Sequence, residues 1–294
     1  MPATTRATRL TPPRPARWLA ALALTCCASA QASFDIQINY SGTWTSGQLS
    51  AFAQAESFWE STISGYQPGV SLTGLNIDAA SLYIDRAYGV LGSAGPLNGV
   101  VQAGHVLPTS GSMRFDSADL AAMESTGSFA SVVTHEMGHV IGFGTLWTWN
   151  GVYVDGSGKY TGLNALAAWR SEFNQPLANW VPVELGGGPG TADGHWNEID
   201  LGAGPTGYTD GQGRDLRDEV MTGWLNAGPN TFMSQTTKAS MMDLGYTVYN
   251  MSPVPEPASW LLFALGAPLA LRRRRPAGAP SDRTQVTSPA NPDR

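Results

Sequence analysis

The segment His135-Glu136-Met137-Gly138-His139 constrains this chain more than any other stretch of its sequence. Two histidines four positions apart share one face of an α-helix, so both imidazoles reach a single point. Glu136 leaves the helix about a quarter turn away, where a carboxylate meets a water on that metal without ligating it. HExxH on a helix is therefore a zinc-binding pattern with a general base built in. The preceding run, Ser128 to Thr134, reads as an N-cap and an apolar helical face. Gly142 follows as a residue able to turn the chain sharply after the second histidine.

A zinc hydrolase site needs a third protein ligand and keeps a fourth position for water. The third histidine of HExxHxxGxxH would fall at position 145, which here is Thr145. The chain has four histidines, so the remaining candidates are His105 and His195. His105 lies in a loop-like stretch, Val101 to Pro108, and reads as an ordinary solvent-facing or hydrogen-bonded side chain. His195 lies in a glycine-bearing loop, Gly190 to Glu198, and Glu219-Val220-Met221-Thr222-Gly223 comes after it. Met221 alone reads as a methionine buried in a core turn.

HEMGHVIGFGTLW, a long insertion, GTADGHW and then EVMTG together resemble the leishmanolysin family of zinc metallopeptidases, in its compact bacterial form. The resemblance runs from about Phe34 to Tyr249 and includes a closing helix within Ser234–Tyr246. It implies an α+β, metzincin-like fold with a twisted mixed sheet, an active-site helix and an inserted segment before the third ligand. It also implies His135, His139 and His195 as ligands of one catalytic Zn²⁺, Glu136 as the catalytic base, and Met221 in a Met-turn beneath the metal. The eukaryotic members are disulfide-rich and carry a propeptide cysteine. This chain has only Cys26 and Cys27, both near its N-terminus.

The two ends read as addresses. Arg6, Arg9, Arg14 and Arg17 precede an apolar run from Trp18 to Ala30, with small-residue cleavage sites after Ala30 or Ala32. That is a secretory signal peptide over 1–32, and its removal takes both cysteines with it. At the other end Pro255-Glu256-Pro257, an apolar run from Ala258 to Leu271 and Arg272 to Arg275 resemble the PEP-CTERM sorting signal of Gram-negative, exopolysaccharide-producing bacteria. An exosortase, a membrane processing protease, is the partner this implies. As a helix the apolar run would be about 21 Å long, shorter than a hydrocarbon core, with the arginines holding its end cytoplasmic. The expected organisation is a signal peptide over 1–32, a metallopeptidase domain over 33–250 with an insertion over 145–194, a sorting segment over 251–275 and a disordered tail over 276–294. The expected destination is the cell surface or extracellular matrix, with a transient anchor and membrane contact through the C-terminal segment alone.

Charge belongs to the segments rather than to the chain. Residues 33–250 hold twenty acidic side chains against seven basic ones, a net of about −13, which disfavours nucleic acid or an anionic membrane as a partner. Asp155 to Gly158 and Thr209 to Asp215 offer oxygen ligands in glycine-rich loops. They make Ca²⁺ a secondary expectation, although ordinary turns explain both.

Phe34 to Tyr40 alternates and predicts a strand, and Thr45 to Gln48 predicts a capping box for a helix burying Leu49, Phe52, Trp59 and Ile63. Further strands are expected near 71–77 and 81–87, and the family resemblance implies Met113 to Asp116 as the edge strand above which substrate lies. Asp116 and Asp119 read as solvated loop carboxylates. In the insertion, Thr161–Phe173 reads as helix, and Trp147, Trp149, Tyr153, Tyr160, Trp169 and Trp180 read as the core of a small lobe rather than a carbohydrate surface. The sum is a secreted zinc endopeptidase acting on protein or peptide. The alternatives are a non-catalytic, zinc-stabilised surface or matrix protein and a metal-dependent hydrolase of a glycan.

Overall fold

The computed structural model describes residues 33–198, 204–224 and 231–254, which belong to one compact unit. The segments read as signal peptide and C-terminal tail lie outside the described residues, as does all but the first part of the sorting segment.

The predicted first strand forms as β1, Ile36–Ser41, followed by α1, Ser46–Glu60, and β2, Ile63–Tyr66. The capping box at α1 closes as expected: Gln48 N donates to Thr45 Oγ1 and Thr45 N donates to Gln48 Oε1, each at 3.1 Å. Glu124 braces it by accepting from Thr45 Oγ1 at 2.8 Å and Gln48 Nε2 at 3.0 Å. The buried face of α1 is Gln48, Ala51, Phe52, Ala55 and Trp59. Leu49 is exposed and Ile63 belongs to β2, because the helix stops at Glu60.

The two strands expected near 71–77 and 81–87 are a single strand, β3, Leu75–Leu82. Its partners are long: β4, Gly92–Gln102, and β5, His105–Asp116. The main sheet has the order β1-β3-β5-β4, parallel except for the β4–β5 hairpin. The edge strand is thus β4, and Met113 to Phe115 pair on both sides in the interior. The sequence hid this because Gly92–Gln102, GSAGPLNGVVQ, carries three glycines and a proline where alternation would show. Proline is admissible there since an edge strand has amides that face no neighbour.

After a short helix α2, Leu120–Thr126, comes α3, Phe129–Ile141, which carries HExxH and is buried over most of its surface. Ser128 occupies its N-cap position, but its hydroxyl caps nothing; its backbone is already helical and the hydroxyl lies 2.9 Å from Thr126 Oγ1. The helix lies over β4 and β5 with α1 alongside, and Trp59 Nε1 donates to Thr134 O at 2.8 Å across that junction. Gly138, mid-helix, permits the closest approach: a Cβ there would stand 2.7 Å from Met221 Sδ and 2.9 Å from Trp59 Cζ2. The helix propensity lost by placing glycine inside a helix, about 1 kcal/mol, is the cost of that contact.

The insertion follows directly on the glycine turn, where Gly142 and Gly144 both have positive φ. It then forms a short ribbon, β6, Lys159–Tyr160, with β7, Val181–Pro182, around α4, Leu163–Glu172, close to the predicted helix. Trp147, Tyr153, Tyr160 and Trp169 are core residues, as the sequence predicts, whereas Trp149 is 76% exposed and Trp180 lies under Lys159 Nζ at 4.5 Å. The closing helix forms as α5, Gln235–Asp243, capped by Ser234, and β8, Tyr246–Val248, returns antiparallel to β2.

Candidate metal centre

Helix α3 presents His135 and His139 to one side, and the chain returns 56 residues later with His195 on a loop. Gly144 makes the return fit: a Cβ there would collide with the backbone of Gly194. Trp196 anchors the loop from below, stacking on Trp147 at 5.0 Å and meeting Phe143 edge-on at 5.0 Å. The three sequence-nominated histidines therefore come together. Their Nε2 atoms lie 3.0 Å (135–139), 2.9 Å (139–195) and 3.0 Å (135–195) apart.

Each ring's other nitrogen faces a backbone carbonyl. His135 Nδ1 donates to Val220 O at 2.7 Å, His139 Nδ1 to Phe143 O at 2.9 Å and His195 Nδ1 to Thr191 O at 2.8 Å. A carbonyl only accepts, so Nδ1 carries the proton and Nε2 offers its lone pair in all three rings. Burial disfavours the imidazolium throughout. It lowers the His135 pKa; it brings His139 well below the usual histidine range, helped by the two neighbouring rings; and it brings His195 to about 3. Three bare lone pairs aimed at one point repel one another unless a cation lies between them. The donor set suits a transition-metal ion, with backbone carbonyls fixing each ring.

Glu136 lines the same cleft, about 1340 Å³ in volume, together with all three histidines. Its carboxylate lies against the start of β4, where a Cβ on Gly92 would be 2.9 Å from Oε1. Burial pushes its pKa up to about 8. Met221 is fully buried beneath α3, against Gly138, and the same turn supplies Val220 O to His135. His105 is not in the cluster; it starts β5 and packs against Gly245.

The reading of Asp116 and Asp119 as solvated loop carboxylates is overturned. Asp116 is 0% and Asp119 1% exposed, because both hold down the strap 83–90 that borders the cleft. Asp116 accepts from the amides of Ala118 (2.9 Å), Asp85 (3.0 Å) and Ile84 (3.3 Å), of which Ala118 contributes most to keeping its carboxyl below the usual range. Asp119 Oδ1 accepts from Tyr88 N at 2.7 Å, holding Tyr88 at φ 65° on the rim. Ala118 apart, the clients of these carboxylates lie about thirty residues upstream, so local sequence gives no sign of the strap they hold.

The loops considered for Ca²⁺ spend their carboxylates internally. Asp155 Oδ1 accepts from Thr148 Oγ1 at 2.6 Å, Asp210 pairs with Arg214 at 2.6 Å, and Asp215 takes the amides of Thr206 and Arg217 at 3.0 Å each. Among the described residues, the three histidines are the one group of His, Cys, Asp and Glu side chains placed to share a metal.

Sequence reasoning passed over Glu219, which is 2% exposed. Its Oε2 accepts from Met221 N at 2.6 Å, and its Oε1 from Ser234 N at 3.0 Å, Ser234 Oγ at 3.1 Å and Thr237 Oγ1 at 2.6 Å. Its position at the head of EVMTG was the available signal.

No curated protein matches the chain. Residues 253–275 match the family model of the PEP-CTERM protein-sorting motif. Among the described residues no helix is long and apolar enough to cross a membrane, and the apolar run of this motif lies outside them. The chain thus carries a PEP-CTERM sorting signal, the kind that exosortase recognises and that directs an exported protein of a Gram-negative bacterium to the cell surface.

Proposed function

We propose that the exported chain is a zinc-dependent endopeptidase of leishmanolysin-like, metzincin type. The observation that carries the reading is the convergence of three neutral, carbonyl-tethered imidazoles beside a buried glutamate in an open cleft. His135, His139 and His195 would hold the ion. When bound, Zn²⁺ supplies a lowered water pKa and a polarised scissile carbonyl.

The rest is done by the chain. Glu136 takes the proton of the attacking water and passes it to the leaving amine, a role for which burial supplies a carboxylate of raised proton affinity. Val220 O, Phe143 O and Thr191 O hold the rings in the ligating tautomer. The edge strand β4, whose first residues Gly92, Ser93 and Ala94 line the cleft, offers an extended peptide its unpaired backbone groups. Met221 serves as the apolar floor, consistent with its burial under Gly138.

The test is cleavage of a reduced, alkylated protein by the purified chain. Wild type should cleave it, lose activity to a chelator and regain it with Zn²⁺. Glu136→Ala should keep its zinc and lose turnover by about 10²–10⁴-fold. Full activity in that variant, or a zinc-loaded wild type that cuts nothing, overturns the reading.

A further inference from the structure

Two of the three carbonyls that orient the histidines are local to the ring they hold: Phe143 is four residues after His139 and Thr191 four before His195. The third is not. Val220 O reaches His135 from 85 residues away, so the first ring is only as well placed as the turn that carries Val220. The backbone bonds of that turn are Glu219 N to Leu216 O at 2.9 Å, Val220 N to Phe232 O at 2.9 Å, Trp196 N to Met221 O at 3.1 Å and Thr222 N to Glu219 O at 3.3 Å, with Thr222 Oγ1 donating to Glu219 O at 2.8 Å; none of them fixes the Met221 amide.

From this geometry we propose that Glu219 is the positioning residue of the metal centre: its carboxylate fixes the turn 219–222, and through Val220 O the His135 ring, while joining that turn to the loop bearing His195. Four donors converge on the one group. Met221 N on one oxygen sets the bend of the turn, and Ser234 N, Ser234 Oγ and Thr237 Oγ1 on the other lock it to the start of α5. Thr237 Oγ1 in turn accepts from Trp196 Nε1 at 2.8 Å, and Trp196 N donates to Met221 O at 3.1 Å. Trp196 is the immediate neighbour of His195. One buried carboxylate therefore ties together the supports of the first and third ligands, which belong to elements 60 residues apart. An acid almost out of water is costly to keep where a leucine would pack, and burial pushes its pKa up to about 7. The four donors explain why the cost is tolerated: no neutral side chain of that size accepts all of them.

The inference rests on the three histidines holding zinc, but not on the protein being a peptidase. The experiment measures Zn²⁺ affinity by competition with a chromogenic chelator, and the visible absorption of the Co²⁺-loaded protein. The proteins compared are full-length wild type, Glu219→Gln and Thr237→Val. An Asp243→Asn variant serves as a control, since Asp243 fastens α4 to α5 away from the metal. All are read at a temperature where circular dichroism shows each folded. Glu219→Gln should weaken zinc by about 10–100-fold and shift the Co²⁺ bands; Thr237→Val should do so to a smaller extent. Asp243→Asn should lower the melting temperature with zinc affinity and Co²⁺ spectrum unchanged.

Should Glu219→Gln not fold, Thr237→Val alone decides, and a wild-type affinity and spectrum in it overturns the proposal. The proposal also fails if Glu219→Gln binds zinc as wild type does, or if Asp243→Asn weakens zinc equally. A wild type that binds no zinc overturns both this inference and the proposed function. A wild type that binds zinc tightly without cleaving protein, with Glu219→Gln binding weakly, overturns the peptidase reading and leaves the positioning role established.

Discussion

Replacing Asp243 by alanine should cost this fold about 3–4 kcal/mol. The side chain stands near the end of α5 and caps a different helix. Its Oδ1 accepts from Asn164 N at 2.9 Å and Asn164 Nδ2 at 2.8 Å, and its Oδ2 from Ala165 N at 3.0 Å and Tyr160 Oη at 3.2 Å. The N-cap of α4 is Gly162, which has no side chain to do this. Truncation removes the cap, worth about 0.5–2 kcal/mol. It also strands the buried Tyr160 hydroxyl and an amide, at about 1–3 kcal/mol each. Part of that sum is offset because burial already disfavours the carboxylate, pushing its pKa up. For a domain of this size each kcal/mol is about 2–4 °C, so the melting temperature followed by circular dichroism should fall by about 10 °C. Since α4 sits inside the insertion, limited proteolysis should also begin to cut within 161–180. A fall of less than about 2 °C with an unchanged digestion pattern would refute the reasoning.

Three further outcomes are expected. Glu219, raised from 4.5 to about 7, binds its proton more tightly in the fold, so its contribution is full below pH 4.5 and is lost as pH rises through 7. Between pH 4.5 and 8, denaturant titrations of the metal-free wild type should lose about 3 kcal/mol more than those of Glu219→Gln, in which the contributions of Glu136 and the histidines remain; identical pH slopes in the two proteins would refute this. Asp119→Ala should free the strap 83–90, seen as faster hydrogen exchange at the Tyr88 amide with little change in global stability. Chelation should lower the melting temperature of the zinc-loaded protein. At free zinc 100-fold above Kd the ion contributes about 2.7 kcal/mol, and His195→Ala should abolish the difference.

What could be read from the sequence was whatever obeys a short period. HExxH placed two imidazoles on one helix face because four residues is nearly one turn, and Thr45 to Gln48 placed a cap because both partners lie within one turn. His195 was reached by elimination among few histidines, helped by the family likeness, and the structure brings it to the other two. Relations that span the chain were invisible. Asp116 reads as solvated because two of the three amides it accepts come from the strap at 84–85. The edge strand was assigned to Met113–Asp116 because β4 has neither alternation nor β-branched bulk over most of its length. Leu49 fits a helical stripe but lies on the exposed side of α1. Glu219 escaped because an acid beside a methionine reads as surface until its four donors are in view.

The return of the chain to the histidine cluster has a topological consequence. His139 and His195 are 56 positions apart, and their Nε2 atoms meet at 2.9 Å in a chain whose only cysteines lie before position 28. An ion seated on both is then a removable cross-link that closes a loop of that length. By the chain-entropy relation used for disulfides, a closure of this size is worth about 4 kcal/mol against the unfolded ensemble. Unlike a disulfide, it asks nothing of the redox state outside the cell. It forms on encountering the metal rather than an oxidant, so the staple and the chemistry would arrive together.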